Sequence, residues 1–253
     1  ILTGTARPGE RATLEHRLIS FLPIDARFSA GQYAALAHEE IDALLASGRR
    51  PIVVGGTGLY LRAALTDLNL RPAPPDAVRE RWSAELEIRG SPALHALLAQ
   101  RAPWAASGIE PTDRQRVMRA LELLDMGELE PPAEESELWT DSVRHPTLLI
   151  GLVMQREELY ARIDARTEEM IAAGVQDEVR RANAAGASPT ARKALGFEEI
   201  LSGDIEAMQR RTRNYARRQL TWMRKLAGVR QLDVTHTSPA DTAAQILELW
   251  LKV

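Results

Sequence analysis

The sequence has 253 residues, 45% of them hydrophobic, with 32 Lys and Arg against 35 Asp and Glu for a net charge of −3, and no Cys. That length suffices for one large domain or two smaller ones, and the lack of cysteine excludes a disulfide framework, a thiolate metal site and a cysteine nucleophile. No run approaches the ~20 apolar residues that span a bilayer and the N-terminus lacks a signal-peptide layout, so a soluble, cytoplasmic protein with no membrane partner is expected.

In chain order, Ile1 to Pro8 has no initiator Met, which leaves residues upstream open. Leu14 to Leu22 mixes charged and apolar residues and predicts an extended segment ending at Pro23. Ser29 is placed to cap a helix over Gly31 to Ser47, with Tyr33, Leu36, Ala37, Ile41, Leu44 and Leu45 on one face and Gly48 closing it. The β-branched run Ile52-Val53-Val54 then predicts a strand, Gly55-Gly56-Thr57-Gly58 a tight turn, and Leu59 onward a helix. Glycines in such a turn admit a ligand close to the backbone, the free N–H groups of the helix start point outward, and Thr57 adds a hydroxyl. A phosphate seat is one reading. An ordinary Gly-rich βα turn is the other, and the turn alone leaves both open.

Arg71 to Pro75 is a stiff, proline-dense connector, beyond which the pattern is helical: Asp76 to Arg89, Ser91 to Ala99 and Asp113 to Leu124, with Asp76 and Asp113 suited to capping or to the first-turn dipole. Acidic, Pro-containing Glu128 to Ser142 reads as a return linker, so residues 71–144 form a helical lobe. A second strand is expected over Thr147 to Val153, then helices from Arg156 to Ala173 and from Gln176 to Ala184. A turn at Lys193 to Phe197, a short helix Glu198 to Leu201, a long basic helix, a strand near Val229 to Val234 and a helix from Pro239 to Leu251 complete the chain. This order predicts an α/β core built from 1–70 and 145–253 with the lobe inserted into it.

The charge is unevenly placed. From Ala207 to Leu232 there is no acid, while Arg210, Arg211, Arg213, Arg217, Arg218, Arg224, Lys225 and Arg230 all fall there. Tyr215, Trp222 and Leu226 form an apolar stripe expected to face the protein, and Arg210, Asn214, Arg217, Thr221 and Arg224 share another face, whose guanidinium forks suit phosphate oxygens. A polyanion surface is favoured over a merely solvated face. In Asp113 to Glu122, Arg116, Arg119 and Glu122 recur every third residue along one side, which fits a charge network or a ligand contact. The histidines have no ligand-like spacing, no Gly-x-Ser-x-Gly elbow is present, and no Walker pattern occurs.

In order along the chain, Gly4-Thr5-Ala6-Arg7-Pro8, Ser29-Ala30-Gly31, Val54 through Ala63, Asp113 through Glu122, Ala194-Leu195-Gly196-Phe197-Glu198 and Thr212 through Trp222 resemble the motifs of the tRNA dimethylallyltransferase (IPP transferase) family. The resemblance implies a P-loop-NTPase-like parallel sheet with an inserted all-helical tRNA-binding domain. It further implies transfer of a dimethylallyl group from its diphosphate to N6 of an adenosine beside the anticodon, with Mg²⁺. Gly55, Gly56 and Thr57 would hold the diphosphate. Lys193 would act with Thr57 in catalysis from a place where the family commonly has arginine, with Arg192 as a neighbouring candidate. Asp113, Arg116, Arg119, Arg213, Arg217, Arg218 and Gln219 would serve the tRNA anticodon stem-loop. Phe197 replaces a more usual Tyr. A monomer is expected. The family's Gly-rich phosphate loop and its general-base aspartate lie upstream of Gly4, so a polypeptide of these residues alone is expected to transfer little or no prenyl group. A non-catalytic tRNA-binding relative and a P-loop small-molecule kinase are the alternatives.

Overall fold

The computed structural model describes residues 1–6, 8–131 and 140–252. They divide into two compact units, one formed by 1–68 with 140–252 and the other by 69–131. The expected return linker falls largely on 132–139, outside the described residues.

The first unit opens with α1 (Pro8–Thr13), which sequence reasoning missed although Glu10 in its first turn and Arg11 in its last both suit the helix dipole. The extended segment expected over Leu14 to Leu22 is irregular instead. Leu18 and Ser20 take φ of 56° and 53°, left-handed values that interrupt any strand. Ser29 caps α2 (Ala30–Ala46) reciprocally: its hydroxyl accepts from the Gln32 N–H at 3.2 Å and the Gln32 side chain accepts from the Ser29 N–H at 2.9 Å. Ala37 and Ile41 of α2 pack on Ala64 of α3 (Gly58–Leu65), with Leu18, Tyr33 and Val53 around them.

The strand predicted at Ile52-Val53-Val54 is absent: among the described residues no chain pairs with it. Val53 alone turns inward, leaving Ile52 73% and Val54 89% exposed. A β-branched run needs a neighbour's N–H and C=O groups to become a strand, and β propensity does not supply one.

In the second unit, α4 (Asp76–Arg101) is broken at Gly90, whose φ of 75° and ψ of 162° are not helical, and Pro92 follows at once. The two expected helices are thus the two halves of this element. Short α5 (Pro103–Ala106) and α6 (Arg114–Met126) complete the unit. Its core joins Trp82, Leu86, Leu94 and Leu98 of α4 to Val117, Ala120 and Leu121 of α6. Glu122 is 2% exposed and is held by Arg119 at 3.3 Å and Arg79 at 3.6 Å, as burying a carboxylate demands.

Residues 140–144, expected in the lobe, belong to the first unit. The Arg144 N–H donates to Leu65 O at 2.9 Å, and its guanidinium pairs with Asp42 at 2.8 Å and Asp67 at 3.1 Å. Beyond them lie β1 (Ile150–Val153), α7 (Arg156–Ala172), α8 (Val175–Ala184), a 3-10 turn at Ala191–Lys193, α9 (Phe197–Ser202), α10 (Ile205–Met223), β2 (Arg230–Asp233) and α11 (Pro239–Trp250). The strands pair in parallel, Ile150 with Arg230 through Val153 with Asp233, and the four helices between them form the crossover that a parallel pair needs. Val175 and Val179 of α8, Phe197 and Ile200 of α9, Met208 of α10 and Leu2 close a second core. The described sheet is therefore α/β but two-stranded, narrower than the sequence pattern suggested. No helix among the described residues is long and apolar enough to cross a membrane.

The Arg144 guanidinium, and after it His145, draw the Asp42 carboxyl from 3.8 down to about 2. The stabilisation from this group is present above pH 3.8 and is lost as pH falls through about 2. Arg144→Ala should return the carboxyl toward 3.8, as read by a carboxyl-carbon NMR titration of Asp42; a group still titrating near 2 would refute the assignment.

Candidate active site

The Gly55–Gly58 turn lies under helix α10. Thr57 Oγ1 and the Tyr215 hydroxyl are 2.9 Å apart, and Gln219 Nε2 donates to Gly56 O at 3.0 Å. Trp222 covers Gly58: a Cβ built there would stand 1.9 Å from Cε3 of the indole. A Cβ on Gly56 would meet Gln219 Nε2 at the same 1.9 Å. These two glycines thus admit a helix, a use of the missing side chain that the sequence reading had reserved for a ligand. Gly55 has no comparable obstruction, and Thr57 is exposed. Thr57 is the N-cap residue of α3 yet its hydroxyl makes no cap bond, being engaged with Tyr215 instead. The signal for this contact was present in the spacing, because residues 215, 219 and 222 recur at four and three and share one helix face.

Helix α10 begins at Asp204, whose carboxylate accepts from the Ala207 N–H at 2.8 Å. Its positive charge is sorted along its length. Arg210 pairs with Glu206 at 3.3 Å, Arg211 with Glu199 of α9 at 2.7 Å, and Arg213 with Asp164 of α7 at 2.5 Å, with its guanidinium over the Tyr160 ring. Glu206 in the first turn and acids from α9 and α7 thus compensate a stretch that has none of its own. Farther along, Arg217 and Arg218 are exposed; Arg217 donates to the neutral Asn214 side chain, and Arg218 lies 5.7 Å from the Tyr215 ring centre. Neither has a carboxylate partner among the described residues.

The remaining candidates are elsewhere. Arg192 pairs with Glu198 at 2.9 Å, donates to Asn183 and lies over the Phe197 ring, while Lys193 ends the 3-10 turn with its side chain exposed. In the second unit, Asp113 caps α6 by accepting from the Arg116 N–H at 3.1 Å. Arg116 reaches back to Asp113 at 3.4 Å and stays 72% exposed. Arg119 is committed to Glu122 and to the carbonyls of Arg71 and Pro72, at 3.1 and 2.6 Å, so it fastens the proline connector to α6. The motif at Gly4 adds one contact not foreseen: the Arg166 guanidinium of α7 rests against the Gly4 backbone. Among the described residues no group of three or more His, Asp or Glu is placed to hold a metal ion.

A helix carrying uncompensated guanidinium groups and gripping a Gly-rich turn defines an α/β protein suited to anionic ligands. The family follows from comparison: the model of the IPP transferase family matches residues 1–226, and the chain belongs to that family. It is 40% identical to a tRNA dimethylallyltransferase of Kineococcus radiotolerans, covering 97% of this chain and 81% of that one. It is also 40% identical to a tRNA dimethylallyltransferase of Streptomyces coelicolor, over 88% and 74% of the two chains. Among solved structures, a tRNA isopentenylpyrophosphate transferase of Bacillus halodurans is similar with a TM-score of 0.66 at 29% identity, covering 98% of this chain and 80% of that one.

Because the Gly58 Cα faces the Trp222 ring, Gly58→Ala should force α10 away from the turn at a cost of about 1–3 kcal/mol. Gly9→Ala, which meets nothing within 4 Å, serves as the control. Denaturant unfolding of both variants checks this, and equal midpoints would show that the contact is slack.

Proposed function

We propose that this chain is a prenyltransferase that moves a dimethylallyl group from dimethylallyl diphosphate to N6 of an adenosine beside the anticodon of a tRNA. Family membership supports the reaction. The observation in this chain that carries it is the contact of Tyr215, Gln219 and Trp222 with the Gly55–Gly58 turn, on the same helix that exposes Arg217 and Arg218.

In the transfer, the bond from C1 of the dimethylallyl group to the diphosphate oxygen breaks, a C1–N6 bond forms, and N6 loses a proton. The leaving group gathers negative charge as it departs, so donors fixed in advance stabilise the transition state more than the ground state. In this reading Gly55, Gly56 and Thr57 receive the diphosphate with backbone N–H groups and the Thr57 hydroxyl. Lys193, or its neighbour Arg192, adds charge. Arg217 and Arg218 take RNA phosphates, with Arg213 and Gln219 holding the helix in place; Asp113, Arg116 and Arg119 serve the RNA from the helical unit. The parallel β1–β2 pair and its helical crossover are consistent with a P-loop-type core into which the helical unit is inserted. Mg²⁺, implied by the family, finds no cluster of three or more His, Asp or Glu among the described residues, and in this reading it would be held largely by the diphosphate oxygens. Cytoplasmic location and a monomeric state belong to the same reading. A kinase using the Gly55–Gly58 turn would have no use for exposed Arg217 and Arg218, and a non-catalytic RNA binder would have none for an exposed Thr57.

Two measurements test it. The full-length protein given labelled dimethylallyl diphosphate and tRNA should place the label on adenosine N6; binding of tRNA without transfer would favour the non-catalytic alternative. Reversing both charges, Arg217→Glu with Arg218→Glu, should weaken tRNA binding by about tenfold or more and flatten its salt dependence by about two phosphate contacts. An unchanged salt slope would remove RNA from this face.

A further inference from the structure

The 2.9 Å contact between Thr57 Oγ1 and the Tyr215 hydroxyl can be donated from either side. Acidity favours one direction. A phenol ionises near pH 10, far more readily than an aliphatic alcohol, and is the better donor. With the Tyr215 O–H donating to Thr57 Oγ1, as this order of acidity favours, the single hydroxyl proton of Thr57 is left for an acceptor outside the turn. Without Tyr215 that proton would be free to turn toward any nearby carbonyl.

Gln219 sets the second donor. Its amide N–H draws the Gly56 carbonyl toward α10 at 3.0 Å. In a planar trans peptide the C=O and N–H of one link point in opposite directions, so the Thr57 N–H is turned away from α10. One helix thus fixes both donors of a single exposed residue, the hydroxyl through Tyr215 and the amide through Gln219. Packing does not require either bond, since Trp222 on Gly58 already holds helix and turn together. Polar side chains at both places therefore have a directional task.

We propose that Tyr215 and Gln219 are positioning residues for the transfer, aiming the hydroxyl and N–H of Thr57 at the departing diphosphate from a helix that also faces the RNA. This rests on the reading of the Gly55–Gly58 turn as the diphosphate seat. It assigns Gln219 to the turn, so that its loss is felt through dimethylallyl diphosphate and leaves tRNA binding intact.

The test is a double-mutant cycle in the full-length protein, Tyr215→Phe against Thr57→Val, read as kcat/KM for dimethylallyl diphosphate and, separately, as KM for tRNA. Both substitutions keep the bulk of the side chain. Tyr215→Phe should lower kcat/KM about tenfold and Thr57→Val about thirtyfold, with the double variant no worse than Thr57→Val alone and KM for tRNA unchanged throughout. Thr57→Ser, which keeps a hydroxyl, should recover most of the activity and remain sensitive to Tyr215→Phe. Gln219→Leu should lower the same constant without raising KM for tRNA. Losses that multiply in the double variant, a Tyr215→Phe enzyme with unchanged constants, or a raised KM for tRNA in Tyr215→Phe or Gln219→Leu would each overturn the positioning role and leave the seat intact. Unchanged constants for Thr57→Val would instead overturn the seat, and the inference with it.

Discussion

Helix α10 and the Gly55–Gly58 turn approach so closely that a methyl group on Gly58 would enter the Trp222 ring and one on Gly56 would displace the Gln219 amide. Packing as dense as a crystal's cannot absorb an intrusion into the indole by sliding, so Gly58 is a condition for the helix being where it is. Much else hangs on that placement. With its C-terminal half seated on the turn, α10 sends Met208 into the core with Phe197 and Ile200, and Arg211 and Arg213 meet the carboxylates of α9 and α7. The turn, the crossover helices and the basic surface are thereby parts of one construction.

Arginines along α10 do unlike work. Those at 210, 211 and 213 are matched by carboxylates; Arg210 pairs along α10 itself, while Arg211 and Arg213 reach α9 and α7 and so fix the roll of the helix about its axis. Arg217 and Arg218 have only a neutral amide and an aromatic face as partners, contacts that orient a guanidinium without neutralising it. Charge available to an external anion is concentrated in the half of the helix that also touches the turn.

Much of this was legible in the residues. Helix starts followed from Ser29 and Asp113, whose side chains close the first N–H groups of α2 and α6, whereas the capping role of Asp204 on α10 came from the structure. The break at Gly90 followed from Gly and Pro standing two apart. Ordered motifs pointed to the family. Partnership across the fold was harder to read. Ile52 to Val54 had the composition of a strand, but pairing depends on another segment's backbone. The basic stretch looked uncompensated because Asp164 and Glu199 are remote in sequence. Gln219 had been grouped with RNA contacts by the family resemblance, although its spacing from Tyr215 and Trp222 already put it on the inward face. Arg119 was similar: its spacing suggested a charged row, and only the folded connector revealed the Arg71 and Pro72 carbonyls it holds.

The Arg144 junction has a further consequence for how such a chain can vary. Its N–H on Leu65 O and its guanidinium on Asp67 bring the point where the chain leaves the first unit against the point where it comes back. A loop closed at its neck costs entropy that grows only with the logarithm of its length, so lengthening the stretch between 68 and 140 burdens the remaining fold very little. The helical unit can accordingly drift in size and sequence as a cassette, while Asp42, Leu65 and Asp67 hold Arg144 at the neck and the β1 register stays fixed by its pairing with β2.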